Sequence, residues 1–381
     1  MTRVLVSDRV LEAQTGGNTT YARNVYARLP ENGIDVIVAK PPLNGAHARR
    51  AVYAIWEGLA LPGSRADASL IHYPADTGAM FKTSLPIVAT IHGVAAAAVP
   101  GLRRPLPERV WMARARRLAR VATRLITVSR ASANDLERWL RLPAGSFKVI
   151  PHGVDHGRFH PIPIEAARAR VEHLELPERF FLYLGNIEPR KNLLALLRAL
   201  EEPVLRSHGV PLVVAGKPAW DAGPILEAVD RAPLARYVGR VDDEHVAALM
   251  VLARAFVFPS LYEGFGLPVL EAMACGTPTV AADIAALREV ADGAAYLADP
   301  ANPSVFAAAI AHVITDGPTR RELAAAGVQR ASAFDWAASA SAHADVFHDV
   351  SSAQRRGHPR RRLHVDARAA TRREVAEDAR R

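Results

Sequence analysis

Among 381 residues there is a single cysteine, Cys275. That excludes a disulfide framework and any multi-cysteine zinc site, and it suits a reducing compartment, so a cytoplasmic location is expected. No stretch approaches the roughly 18 to 20 continuous apolar residues of a membrane-spanning helix. Any membrane contact is therefore expected to be peripheral, at the inner face. The N-terminal MTRVLVSDRV enters a short strand-like run directly, unlike a signal peptide with its long apolar core and cleavage site. No Asp-x-Asp tripeptide occurs, so a common pair of metal-bridging carboxylates is missing and no metal site is expected. HExxH, a P-loop and a complete GxGxxG are missing as well, which argues against a metalloprotease, a P-loop NTPase and an ordinary dinucleotide enzyme.

The charge balance is +9, which taken whole would point toward nucleic acid. Its distribution says otherwise. From Gln354 to Arg381 there are ten Arg against four acids, so this tail carries +6 and the body only +3. Without aromatic residues or a periodic apolar face, the tail is expected to be a disordered extension, and no nucleic-acid partner is expected. A second basic stretch runs from 103 to 124, with Arg103, Arg104, Arg109, Arg114, Arg116, Arg117, Arg120 and Arg124 around Trp111. It reads either as a solvated basic face or as a peripheral contact for an anionic membrane or a lipid-phosphate acceptor.

What is present is a repeated pattern. RVLVS, IDVIVA, SLIHY, PIVATIH and RLITVS alternate with helical stretches in the first half, and FFLYLG, PLVVAG, AFVFPS, PTVAA and AAYLA do so in the second. Short apolar runs spaced by helices read as parallel sheets with crossover connections, here two doubly wound α/β sheets. The Gly, His and Pro cluster VIPHGVDHGRFHP at 149–161 interrupts both patterns and marks a boundary, with a linker expected near 155–170. The expected division is 1–160, 161–335, a terminal helix over 336–352 beginning at Trp336, and the tail over 353–381.

Loops at the C-terminal ends of parallel strands carry the ligand chemistry in such sheets. In AFVFPSLYEGFGLPVLEAMACGTPTV, Gly264 and Gly266 let backbone approach a ligand, and a helix starting near Leu267 or Pro268 aims free N–H groups at the turn. Glu263 before that helix and Glu271 inside it suit hydroxyl-rich ligands, because a carboxylate accepts paired hydrogen bonds. Either glutamate alone could equally be an exposed turn residue or a dipole-favoured helix residue. LGNIEPRKN places Arg190 and Lys191 at the start of a helix, against the helix dipole, an arrangement that makes sense if an anion sits there. Gly16 and Gly17 form another Gly-bearing turn before a helix, and His92 ends a buried strand.

These segments resemble the family 4 glycosyltransferases. EGFGLPVLE matches the family's Glu, seven residues, Glu signature, and GGNTTYARNV, ITVSRASANDL, VIPHGVD, LGNIEPRKN and VVAGK extend the likeness over most of residues 1–350. The resemblance implies the GT-B fold, two Rossmann-like domains facing across a cleft, with the acceptor bound by the N-terminal domain and a nucleoside-diphosphate sugar by the C-terminal one. It implies that Glu263 holds donor-sugar hydroxyls and Glu271 the ribose. Backbone from Gly264 and Phe265 through Gly266 to Leu267 would hold the diphosphate, faced across the cleft by Gly16 and Gly17. Arg190 and Lys191 would stabilise the leaving group, and His92 would line the reacting centre. Gly185, Gly216, Lys217, Gly239 and Arg240 would add donor-side contacts. Where many relatives have Asp after that His, this chain has Gly93, which leaves the partner and tautomer of His92 open. His152 reads as structural. The implied reaction is metal-independent, retaining transfer of a hexosyl unit, mannosyl among the candidates, to a glycan or lipid-linked acceptor. A non-catalytic binding protein of the same fold and an epimerase remain as alternatives.

Overall fold

The computed structural model describes residues 1–12, 16–40, 55–63, 67–76, 78–95, 99 and 105–356. The expected tail lies outside the described residues from 357 onward, as do Arg103 and Arg104 of the basic stretch. Two six-stranded, wholly parallel sheets make up the core. The first contains β1 (Thr2–Ser7), β2 (Ile34–Ala39), β3 (Leu70–Tyr73), β4 (Ile87–Thr90), β5 (Arg124–Thr127) and β6 (Phe147–Val149), in the order 2-1-3-4-5-6. The second contains β7 (Phe181–Leu184), β8 (Leu212–Ala215), β9 (Ala235–Tyr237), β10 (Ala255–Phe258), β11 (Thr279–Ala282) and β12 (Tyr296–Ala298), in the order 12-11-10-7-8-9. β3, β8, β10 and β11 are buried along their whole length. Helices cover both faces of such a sheet, so its strands are continuous apolar runs without polar alternation.

Each sheet reverses its winding once, between β1 and β3 in the first and between β7 and β10 in the second. The crevice at such a reversal is where ligands bind, because the loops leaving the two neighbouring strands diverge there. The loops after β1, β7 and β10 hold Gly16, Arg190 with Lys191, and Glu263 respectively. The fold therefore brings together segments that are far apart in the chain.

Two chain connections cross between the sheets, and they touch. Val154 bridges Asp335, Val154 N donates to the Phe334 carbonyl at 3.3 Å, and a Cβ on Gly153 would lie 2.2 Å from Trp336 N. Only glycine allows that approach. The helix Trp336–Arg355 then packs on the Gly17–Arg28 helix and on β1 and β3. A directed chain of hydrogen bonds holds it there. His343 Nδ1 lies 2.7 Å from the Ser339 carbonyl, an obligate acceptor, so that nitrogen carries the proton and Nε2 accepts from Tyr21 Oη at 2.7 Å. Tyr21 then accepts from Thr90 Oγ1 (2.9 Å), Thr90 from His72 Nε2 (3.0 Å), and His72 Nδ1 from Tyr26 Oη (2.8 Å). Burial holds the His72 and His343 imidazoles below the usual histidine range, His343 at about 4, which keeps both neutral as the chain requires.

Four boundaries differ from the sequence expectation. The helix Ile164–Arg170 occupies the end of the stretch read as linker, and the terminal helix runs to Arg355, three residues past 352. The first glycine-turn helix begins at Gly17 itself, with Gly16 as its N-cap at φ 116°, a backbone conformation that glycine tolerates. Arg190 and Lys191 do not open a helix. They lie in a single 3-10 turn, Pro189–Lys191, and the helix starts at Leu193 after Asn192 takes a left-handed conformation at φ 58°.

Candidate active site

One cavity of about 500 Å³ lies between the sheets, and Glu263, Glu271, Arg190, Lys191, His92, Gly16 and Gly17 all line it. Leu267 opens the helix Leu267–Ala274, with Gly266 as N-cap at φ 109° and Pro268 as the second residue. None of the amides of Gly264, Phe265, Gly266 and Leu267 donates to a backbone or side-chain acceptor among the described residues. All four residues line the cavity, at the positive end of a helix. A Cβ on Gly17 would lie 3.8 Å from Leu267 Cδ1, so the two glycine-led helix starts approach one another across the cleft.

Arg190 and Lys191 converge on Glu263. Its Oε1 accepts from Lys191 Nζ at 2.7 Å and from Arg190 Nη1 at 3.0 Å, and Arg190 Nη1 also donates to the Tyr262 carbonyl at 2.7 Å. Arg190 Nε and Nη2 donate to Glu188 Oε1 at 2.9 and 2.6 Å. Burial opposes the Glu263 charge, but Lys191 and Arg190 outweigh it and take the carboxyl down to about 2. Two cations thus meet two carboxylates. Without ligand the turn is formally neutral, not an unpaired anion trap, and Glu188 is the partner that sequence reading missed. Lys191 is buried, which lowers its pKa, and its ammonium sits 4.6 Å from the Phe258 ring centroid.

Glu271 stands apart from that cluster, inside the helix that follows. Burial raises its carboxyl to about 7, Arg158 pulls the other way, and Asp243 adds to the rise. Arg158 and Asp243 both line the cavity, with Nη1 and Oδ2 4.0 Å apart, and the Arg158 Nε is buried without a partner. Neither residue was singled out from the sequence.

His92 is now assigned. Its Nε2 lies 2.9 Å from the Pro74 carbonyl, so Nε2 carries the proton and Nδ1 presents a lone pair, while its backbone N donates to Asp76 Oδ1 at 2.9 Å. Burial lowers its pKa. The space beside Gly93 is taken by Tyr262. Its Oη would be 3.0 Å from a Cβ there and accepts from Val94 N at 3.0 Å. His152 is 4% exposed and packs against Tyr21, His92, Phe265 and Trp336, with both ring nitrogens unpartnered.

Five expected donor contacts divide. Gly185 lines the cavity, whereas Gly216, Lys217, Gly239 and Arg240 do not. Gly216 lies just past β8, packed between the chain ends that leave β7 and β9. Its N donates to the Gly239 carbonyl at 2.8 Å, and a Cβ on it would lie 1.8 Å from the Gly185 carbonyl oxygen. Lys217 and Arg240 are exposed on the surface.

Two doubly wound parallel sheets with one polar cleft between their strand ends define the GT-B architecture. Residues 166–330 match the family "Glycosyl transferases group 1" and residues 15–158 match "Glycosyltransferase Family 4". The chain is 33% identical over 297 residues to a glycogen synthase of Mycobacterium tuberculosis, covering 76% of this chain and 69% of that protein. It is also 33% identical over 216 residues to O-antigen chain mannosyltransferase B of Escherichia coli, covering 56% of this chain and 57% of that protein, a little over half its length. The structure of Anabaena HepE in complex with UDP and glucose shares the fold, with a TM-score of 0.73 at 19% identity, covering 92% of this chain and all of that one. The chain belongs to the group 1 glycosyltransferases, and it is a glycosyltransferase.

Proposed function

We propose that the enzyme transfers a hexosyl unit from a nucleoside-diphosphate sugar to an acceptor hydroxyl, without a metal and with retention at the anomeric carbon. The observation that carries this reading is the run of free amides from Gly264 to Leu267, set beside Lys191 and Arg190 in one cavity. A diphosphate is the ligand those donors suit, since N–H groups at a helix start and buried cations both favour anionic oxygen. HepE, a protein of the same fold, binds UDP and glucose, which supports a nucleotide-sugar donor. The likeness to the mannosyltransferase supports a mannosyl unit and a glycan acceptor within this reading.

In this reading the bond from the anomeric carbon to the diphosphate oxygen breaks with its electron pair on the leaving group. The new bond to the acceptor oxygen forms on the same face, and the acceptor proton passes to a departing phosphate oxygen. Lys191, Arg190 and the four amides stabilise charge that grows on the diphosphate, so they act more strongly on the transition state than on the bound donor. Glu263 holds sugar hydroxyls and is fixed by the two cations. The His92 Nδ1 lone pair accepts from a sugar hydroxyl, and Glu271 binds the ribose.

The test is a panel of nucleoside-diphosphate sugars, assayed with candidate glycan acceptors in chelator, with the product's anomeric configuration read by NMR. Acceptor-dependent release of nucleoside diphosphate with a retained product is expected. An inverted product, or loss of turnover in chelator restored by a divalent cation, contradicts the reading.

A further inference from the structure

Gly264 sits at a narrow point between the two sheets. A Cβ there would lie 1.9 Å from the His92 carbonyl oxygen, so any other residue would collide with backbone of the opposite domain. Two hydroxyls from that domain close on the Gly264 carbonyl. Ser129 Oγ donates to it at 2.7 Å and Ser132 Oγ at 2.9 Å, and the single Ser132 proton is shared with the His92 carbonyl at 3.2 Å. Both serines are 1% exposed. Ser129 is also the N-cap of the helix Arg130–Leu140, accepting from Ser132 N at 2.9 Å.

The peptide bond turns this grip into an aim. No cis peptide occurs among the described residues, and in a planar trans peptide the C=O and the following N–H point in opposite directions. With the Gly264 carbonyl held on the serine side, the Phe265 N–H is turned away from the serines. It has no protein acceptor among the described residues, and Gly264 and Phe265 both line the cavity. A brace holds the serine-bearing helix against the donor side. Glu289, from the helix Ala285–Ala291 of the second domain, accepts from Arg130 N at 2.9 Å and from Ala131 N at 3.0 Å. Its carboxylate thereby satisfies free amides at the positive end of the other domain's helix.

We propose that Ser129 and Ser132 are positioning residues of the donor site. They orient the Gly264–Phe265 peptide from across the cleft, Glu289 keeps them in place, and the site is complete only while this contact is made. The proposal rests on the donor reading above and deepens it. An amide aimed in advance needs no reorientation as charge develops on the leaving group, so its loss falls on turnover and less on donor capture.

Serines that merely pack two domains together would affect stability and leave the amide alone, so two readouts are needed. In ligand-free protein, amide NMR of S132A and S129A is expected to shift the Phe265 resonance, with S129T close to wild type because it keeps both the cap and the hydroxyl. In the assay, with whichever member of the sugar-nucleotide panel the wild type turns over, S132A and S129A are expected to lose ten- to a hundredfold in kcat. Donor KM should change less than fivefold, with S129T restoring the rate. An unmoved Phe265 amide, an unchanged kcat in both alanine variants, or a threonine variant as impaired as alanine overturns the proposal. A shifted amide in a protein that turns over no donor of the panel contradicts the donor reading and leaves the positioning geometry standing.

Discussion

Glu263 and Glu271 stand eight residues apart in one turn-and-helix segment, line the same cavity, and hold protons in opposite ways. Burial acts on both. Glu263 has Lys191 and Arg190 in hydrogen-bonding contact and is taken down to about 2, whereas Glu271 has a single more distant cation, Arg158, with Asp243 opposing it, and rises to about 7. Burial prevails at Glu271 and is overruled at Glu263, so burial alone does not separate the two. Which cations the fold delivers from other parts of the chain decides it, and only one of the two carboxylates is poised to change its charge near neutral pH.

The largest effect that sharpens this contrast is expected at the fixed carboxylate. K191A leaves Glu263 with one cation fewer and removes a charge beside the leaving group, so kcat is expected to fall by roughly 10² to 10³. E263Q is expected to fall comparably, because the neutral amide no longer anchors Arg190 and Lys191. Steady-state kinetics on protein shown to be folded by circular dichroism checks both.

At the poised carboxylate a smaller, pH-dependent effect is expected. An ionised Glu271 accepts paired hydrogen bonds from ribose hydroxyls, and its protonated form does so less well. Donor KM should then rise as pH falls through about 7 with kcat little changed. E271Q should instead have a KM raised about tenfold and flat across that range, the order expected for one charge-assisted contact. A KM profile in E271Q that still bends in that range breaks the comparison.

Across the cleft the first domain and the terminal helix packed on it hold neutral histidines, and the expected effect there is on stability. His343 titrates at about 4 when folded, against an ordinary histidine value of 6.5 in the unfolded chain. Between those values the unfolded chain binds more protons, so stability rises with pH across that window and is level above it. The slope is at most ~1.4 kcal/mol per pH unit for this one imidazole. Urea titrations at mildly acidic and neutral pH measure this. Y21F removes the hydroxyl that links Thr90 to His343, and is expected to cost about 1 to 3 kcal/mol at neutral pH. The smallest effect is expected from deleting residues 357–381, which should leave donor turnover unchanged.

These regions also differ in how far the sequence discloses them. EGFGLPVLE was legible because its glycines, helix start and two carboxylates are consecutive, so local geometry brings them to one strand end. The two sheets were legible because buried parallel strands leave continuous apolar runs. Glu188 could have been found, as an acid two residues from a cation in NIEPRK. Ser129, Ser132 and Glu289 could not, because their partners lie 132 to 159 positions away and nothing in ITVSRASANDL marks a hydroxyl that will meet Gly264. Gly216 and Gly239 stand outside the cavity lining. A glycine that lets backbone meet backbone, as Gly216 does, or that takes a left-handed turn, as Gly239 does at φ 77°, reads the same in sequence as one that lets backbone meet a ligand.

The most direct measurement is a crystal structure of the enzyme with the nucleoside diphosphate that binds most tightly in a thermal-shift panel. The diphosphate is expected between the amides of Gly264 to Leu267 and the side chains of Lys191 and Arg190, with the ribose against Glu271. A diphosphate bound elsewhere, with those amides facing only water, would contradict the account.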